Sequence, residues 1–71
     1  SINVKKIRQK FKMSQSEFAD FINVSIKTVI NWEHGTVPTG AARSLLKVAQ
    51  NQPKAVFNAL HALEKEIKGK M

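Results

Sequence analysis

Apolar residues recur at helical spacing in five segments of this 71-residue chain, and helix-capping residues separate the segments. The first segment has Val4, Ile7 and Phe11 on one side, with Asn3 in position to cap its start. Cations fill most of the remaining positions: Lys5, Lys6, Arg8, Lys10 and Lys12. The pattern predicts a short helix with one apolar stripe and a strongly positive remainder.

The second segment opens with a capping-box pattern. The Ser14 hydroxyl can accept from the amide of Glu17, whose carboxylate returns to the Ser14 amide. We therefore expect a second helix that begins at Gln15 and buries Phe18, Ala19 and Ile22.

A sharp turn at Asn23 separates the second helix from the third. Asparagine is the residue that best tolerates left-handed backbone after glycine. Ser25 can cap a helix over 26–34, which turns Val29 and much of Trp32 inward, and Gly35 can end it.

The last two segments complete an all-α domain. Thr39 is the predicted cap of a fourth helix that ends near Asn51, with these apolar positions: Ala42, Leu45, Leu46, Val48 and Ala49. Pro53 suits the first position of a fifth helix, over 53–68, which Gly69 would end. Because no repeat, low-complexity tract or linker is present, we read residues 1–71 as one five-helix domain.

The fifth helix carries a wide apolar band, formed by Val56, Phe57, Leu60, Leu63 and Ile67. Such a band either completes the domain's own core or meets a partner. Taken alone, packing on the domain's own core is the better interpretation, because most amphipathic helices pack in this way. Four helices already form a compact bundle, however, so a band this wide can serve both purposes, and a symmetric homodimer through helix 53–68 is our hypothesis.

Composition narrows the possible functions. The net charge of +7 is concentrated in residues 1–54, which hold nine Lys/Arg and three acids. This excess favours a polyanionic partner, although a merely soluble basic surface is the plain alternative.

No cysteine, signal peptide or membrane-length apolar run is present, which fits a cytoplasmic protein.

Residues 14–35 have the form of a helix-turn-helix that reads DNA. Its second helix presents Ile26, Lys27, Ile30 and Asn31 outward, where a helix in the major groove meets the base edges. Asn31 is the candidate for adenine, Ile26 and Ile30 for thymine methyl groups, and Lys27 for guanine or the backbone. The alternative for the two isoleucines is exposure without a role.

Between Ile7 and Leu46 the chain resembles the Cro/cI class of helix-turn-helix domains, the XRE family. The matching residues are Ile7, Arg8, 13–19, Val24, Ser25, Thr28, Val29, 32–35 and Pro38. The stretch 38–53 is similar to the antitoxin branch, that is, HigA-type antitoxins and the DNA-binding half of MqsA-type ones. The turn departs from the family at Asn23, where glycine is usual.

The resemblance implies double-stranded DNA and a second copy of the chain as partners. It also implies an ion pair between Arg8 and Glu33 that joins the first helix to the third. Antitoxins of this branch bind a toxin and repress their own operon as dimers, so a cognate toxin is a further expected partner. The chain begins at Ser1 directly before the first helix, which leaves open whether a segment is missing.

Further residues are candidates for holding the DNA backbone. Gln15 lies at the start of the second helix, where free amides and the helix dipole attract phosphate, and the resemblance gives its side chain a bracing role. Ser25 and Thr28 surround the start of the third helix. Lys12, Arg43 and Lys47 are expected to flank the recognition unit, with a solvated charged face as the alternative for each.

Two other function classes compete with DNA reading. Catalysis is not favoured, because His34 and His61 have no third ligand at metal spacing and no phosphate-binding glycine loop is present; no cofactor or metal is expected. A protein-interaction module, either toxin-neutralising or an adaptor, is the stronger rival. The sequence favours a homodimeric transcriptional repressor that binds an inverted-repeat operator and forms the DNA-binding part of a type II antitoxin.

Overall fold

Five helices build the domain in the order that the sequence predicts. The structure is a computed structural model that describes the backbone of residues 2–70 and the side chains of residues 2–62. The helices are α1 (Val4–Lys10), α2 (Gln15–Ile22), α3 (Ile26–Glu33), α4 (Gly40–Asn51) and α5 (Pro53–Lys70), with no strand in the described backbone. The all-α class is confirmed.

Three of the four predicted side-chain caps form. The Asn3 side chain accepts from the Lys6 amide at 3.0 Å, and both bonds of the Ser14 capping box are present. Ser25 accepts from the amide of Thr28 at 3.2 Å. Thr39 takes the cap position of α4 with extended backbone, but its side chain makes no capping hydrogen bond.

Two helix ends differ from the expected ones. Helix α3 ends at Glu33, with His34 as its C-cap rather than its last residue. Helix α5 continues through Gly69 to Lys70, so the predicted stop at Gly69 is wrong. Glycine lowers helix propensity by only about 1 kcal/mol, and a single such residue does not have to end a long helix.

The core lies where α2 is enclosed by α3, α4 and α5, while α1 packs on α3. The four largest fully buried side chains are Phe18, Ile22, Val29 and Leu46. Trp32 is half-buried against this core, as expected for a tryptophan that covers its edge. Val48, predicted as an inward position of α4, is 52% exposed.

Phe21 is a core residue that the sequence pattern did not identify. It is 4% exposed and lies at the centre of an aromatic cluster with Phe11, Phe18 and Phe57. The ring centroids are 5.9, 6.0 and 6.3 Å from that of Phe21, within the range that favours aromatic pairs. Helix α2 is therefore buried on two sides.

The α5 band is divided between the core and the surface. Val56 is 6% exposed within the domain's own core, so it has little surface left to offer a partner. Leu60 is half-buried against the same core, while Phe57 is 45% exposed. The side chains of Leu63 and Ile67 lie outside the described residues.

Candidate nucleic-acid interface

The outward side of α3 is determined by how the opposite side of this helix packs. Val29 is fully buried and fixes the rotation of the helix, which leaves Ile26, Lys27 and Asn31 exposed and Ile30 half-buried. Ile26 is 46% exposed, which is a large fraction for an isoleucine. The four residues predicted to read bases thus share one uncovered surface, which we call the recognition strip.

The start of α3 combines backbone and hydroxyl donors. Ser25 and Thr28 hydroxyl oxygens lie 2.8 Å apart, so one hydroxyl donates to the other and the second hydroxyl hydrogen is left for another acceptor. The first amides of a helix have no intrahelical partner and lie at the positive end of its dipole. This end of α3 is suited to bind a phosphate oxygen.

A polar network joins three helices at the C-terminal end of α3. Arg8 donates through Nε to Glu33 Oε2 at 2.7 Å and through Nη2 to Oε1 at 3.0 Å, which makes a two-pronged ion pair. Arg8 Nη1 also donates to the Met13 carbonyl oxygen at 3.0 Å. Since α1, the turn that follows it and the end of α3 are all tied together, the network fixes α3 on its scaffold.

Gln15 belongs to the same network. Its Nε2 donates to Glu33 Oε1 at 3.3 Å, which draws the half-buried side chain toward the end of α3. An amide nitrogen has two hydrogens, so one donor of Gln15 is not used by this bond. The Gln15 side chain is held in place before any ligand arrives.

The hydrogen bonds shift the ionisation of both partners of the ion pair. The bonds from Arg8 lower the pKa of Glu33, and the bond from Gln15 acts in the same direction, against the effect of burial. The bond to Glu33 correspondingly raises the pKa of Arg8. Both groups are therefore charged over the whole physiological range.

The remaining predicted phosphate ligands do not lie together. Lys12 is exposed in the turn after α1 and has a left-handed backbone, with φ of 58°. Arg43 and Lys47 instead line a groove between α1 and α4, of ≈ 450 Å³, which contains no residue of α2 or α3. We call it the α1/α4 groove; its lining residues are Ile2, Asn3, Lys6, Ile7, Lys10, Arg43, Lys47 and Gln50.

Lys6 and Lys10 were not among the phosphate ligands predicted from the sequence. Their four-residue spacing, which Arg43 and Lys47 repeat on α4, was the available signal. Using that signal requires knowing that α1 and α4 line the same groove, and the sequence pattern alone does not show this.

A family model described as helix-turn-helix matches residues 4–42, more than half of the chain. The chain belongs to the Cro/cI-type helix-turn-helix family. The match covers the whole recognition unit of this helix-turn-helix domain and both partners of the Arg8 to Glu33 ion pair. The resemblance inferred from the sequence is confirmed.

Among curated proteins, this helix-turn-helix chain is similar to Antitoxin HigA-2 of Vibrio cholerae serotype O1. The two are 43% identical over 51 residues, which is 70% of this chain and 49% of the relative. The chain thus spans about half the length of that relative. No solved structure matches the chain.

The part of the chain that the structure describes lacks two further features. Within residues 2–62 no group of three His, Cys, Asp or Glu side chains is placed to hold a metal ion. None of the described helices is long and apolar enough to cross a bilayer.

Proposed function

We propose that this domain binds double-stranded DNA sequence-specifically through the recognition strip of α3. The observation that carries the proposal is the exposure of Ile26, Lys27 and Asn31 together on a helix that the fully buried Val29 anchors from its other side. A buried anchor keeps the helix from rotating, so each exposed side chain meets one defined position in the major groove. Family membership supports the same reading.

Each residue of the proposed interface has a role that follows from its chemistry. Asn31 is proposed to pair with adenine, and Ile26 and Ile30 to contact thymine methyl groups. Backbone contacts are proposed for the Ser25 and Thr28 pair, Gln15, Lys12 and Lys27. These contacts would set the register of α3 in the groove without reading sequence.

The regulatory role is proposed from similarity to the antitoxin. We propose that the domain is a transcriptional repressor and the operator-binding part of a type II antitoxin, with a toxin as a protein partner and repression of its own operon. As a homodimer it would bind an inverted repeat whose half-sites lie about one helical turn, ~34 Å, apart.

Selection of bound sequences from a random duplex pool tests the DNA-reading proposal. We expect an enriched inverted repeat whose half-site contains an adenine that is no longer preferred when selection is repeated with Asn31→Ala. Ser44→Ala, an exposed change on α4 away from the recognition strip, serves as the control and should return the original motif. A pool without any enriched motif would contradict the proposal and favour the protein-interaction alternative.

A further inference from the structure

The α1/α4 groove contains cations that DNA reading by α3 does not use. Four of its side chains are exposed and positively charged: Lys6 and Lys10 on α1, and Arg43 and Lys47 on α4. None of the residues that line it belongs to the recognition strip. The groove is therefore a second positive surface, distinct from the first.

The four cations are arranged along the two sides of the groove. On each helix the pair is separated by four residues, which places the two side chains one turn apart, with roughly 5–6 Å between their Cβ atoms. Among the described residues that line the groove none carries a carboxylate, and none of the four cations is in an ion pair within residues 2–62. The groove thus presents uncompensated positive charge on both sides.

The lining of the groove also includes two isoleucines. Ile2 is half-buried against the core, and Ile7 is 4% exposed. A ligand complementary to this lining carries negative charge on two sides and an apolar group that contacts the isoleucines. A phosphate backbone supplies the charge but no aliphatic side chain to cover the two isoleucines.

We propose that the α1/α4 groove binds an acidic amphipathic segment of a partner protein. Carboxylates one helical turn apart would pair with Lys6 and Lys10 on one side and with Arg43 and Lys47 on the other. An aliphatic side chain between them would cover the exposed part of Ile2 beside Ile7. Arg43 and Lys47 are thereby assigned to protein binding rather than to the DNA backbone.

Since the groove and the recognition strip share no residue, the segment and DNA bind at separate places. A bound segment would cancel about four positive charges of a domain whose affinity for phosphates depends on them. We therefore expect the acidic partner to weaken DNA binding moderately without changing the sequence preferred.

Fluorescence anisotropy with a designed peptide tests the proposal on the full chain. The probe is a labelled helical peptide with a leucine stripe that is flanked on both sides by glutamates four residues apart. A matched peptide has glutamine in place of every glutamate, and a third has serine in place of the leucines. We expect binding of the first peptide and a loss of about tenfold or more for each of the other two.

Matched protein variants separate the groove from general charge. Lys10→Gln with Lys47→Gln removes one cation from each side, and Lys5→Gln with Lys54→Gln removes the same charge from exposed positions outside the groove. We expect about tenfold weaker peptide binding for the first double variant and less than about twofold for the second. Circular dichroism melts check that both variants fold.

Three results would overturn the proposal. The first is that the glutamate peptide does not bind. The second is that both double variants weaken peptide binding equally. The third is that the groove variant weakens binding to a DNA duplex while peptide binding is unchanged. The last result would make the groove a phosphate-binding surface. The sequence-selection experiment with Asn31→Ala is independent of all three, so the two proposals can fail separately.

Discussion

At the scale of single residues, Glu33 is the side chain that joins three helices. Its carboxylate accepts from Arg8 twice and from Gln15 once, and its side chain is only 5% exposed. A carboxylate that is withdrawn from water in this way needs all its partners, because an uncompensated buried charge is costly. The residue is structural, and it fixes Gln15 and the end of α3 in their positions on the proposed DNA-binding surface.

Replacing Glu33 by glutamine should lower the free energy of unfolding by about 2–3 kcal/mol at pH 7, since it leaves Arg8 without its counter-charge. Urea unfolding measures the difference. Asp20→Asn, at an exposed carboxylate that forms no ion pair within residues 2–62, is the control and should change stability little. Equal losses for the two variants would contradict the assigned role of the pair.

The stability that Glu33 contributes should also depend on pH. Because folding lowers its pKa, the contribution is fully present above the unfolded value, about 4.3, and is lost as the pH falls through the folded value. The difference in unfolding free energy between the natural chain and Glu33→Gln should therefore shrink in urea titrations from pH 6 toward pH 2. A difference that stays constant over this range would mean that the carboxylate's charge is not what stabilises the fold.

Two exposed residues of the recognition strip should respond differently to truncation. Lys27→Ala should weaken binding to all duplexes and reduce the slope of log affinity against log salt by about one. Asn31→Ala should instead cost ~1–3 kcal/mol at one base position and leave the salt slope unchanged. Titrations of an operator and a scrambled duplex at several salt concentrations distinguish these outcomes, and identical behaviour of the two variants would refute the division of roles.

At the scale of the elements, the first three helices end in the same way. Each is followed by a residue with positive φ, at Lys12 (58°), Asn23 (61°) and Gly35 (117°). The amide of the following residue then donates to the carbonyl oxygen five residues earlier. These bonds run from Met13 to Arg8 at 3.2 Å, from Val24 to Ala19 at 2.9 Å and from Thr36 to Asn31 at 2.9 Å. This bond pattern is that of the Schellman motif, which usually has glycine at the left-handed position.

The shared helix ending predicts which turn is strained. A lysine with left-handed backbone is disfavoured by roughly 1–2 kcal/mol, whereas asparagine tolerates it, so Lys12→Gly should stabilise the fold by about 0.5–1 kcal/mol and Asn23→Gly by less. Lys10→Gly, at the helical end of α1, is the control and should destabilise by up to about 1 kcal/mol. Thermal unfolding of the three variants measures these changes in stability. A lower stability of Lys12→Gly than of the natural chain would contradict strain at Lys12.

Helix starts and turns could be predicted from the sequence because their causes are local. A capping serine or asparagine, a proline and a left-handed asparagine each act within a few residues, and the starts of α1, α2, α3 and α5 follow from them. The burial of Phe21 and the exposure of Val48 have a different origin. They depend on which helices pack together, and a single-helix pattern cannot show that α5 covers a second side of α2.

The same distinction explains how far the candidate site could be predicted. The recognition strip lies on one helix, so its spacing alone placed Ile26, Lys27, Ile30 and Asn31 together. The α1/α4 groove joins helices that are about 30 residues apart in sequence, and Lys6 and Lys10 were missed for that reason. The Arg8 to Glu33 pair, 25 residues apart, also joins two helices, and it was expected only because the family resemblance implied it.

At the scale of the whole molecule, two positively charged surfaces differ from a third that is largely apolar. Nine of the twelve Lys/Arg lie within residues 1–54, where Arg8 is matched by Glu33 and the others stand against only Glu17 and Asp20. The recognition strip and the α1/α4 groove share this excess. The exposed side of α5 at Phe57 is different, since the shallow depression beside it is bordered mostly by apolar groups of Met13, Phe21 and Pro53.

Phe57 is therefore the described residue on which the proposed homodimer can be tested. The residue is 45% exposed, although its ring stacks on Phe21 at 6.3 Å and on His61 at 4.4 Å between centroids. A second copy that packs against this ring would remove it from water, and Phe57→Glu would place a charge in the interface instead. Val48→Glu makes the equivalent change at a similarly exposed side chain of α4 and is the control.

Sedimentation equilibrium over a range of concentrations should show the natural chain and Val48→Glu as dimers and Phe57→Glu as a monomer. Because an inverted repeat is bound by two copies at once, Phe57→Glu should also bind a full operator no more tightly than an isolated half-site, whereas the dimers should prefer the full operator by a large factor. Far-ultraviolet circular dichroism verifies that Phe57→Glu keeps its helices. A natural chain of monomer mass at all concentrations would end the dimer proposal, and a Phe57→Glu variant that still dimerises would place the interface elsewhere on the molecule.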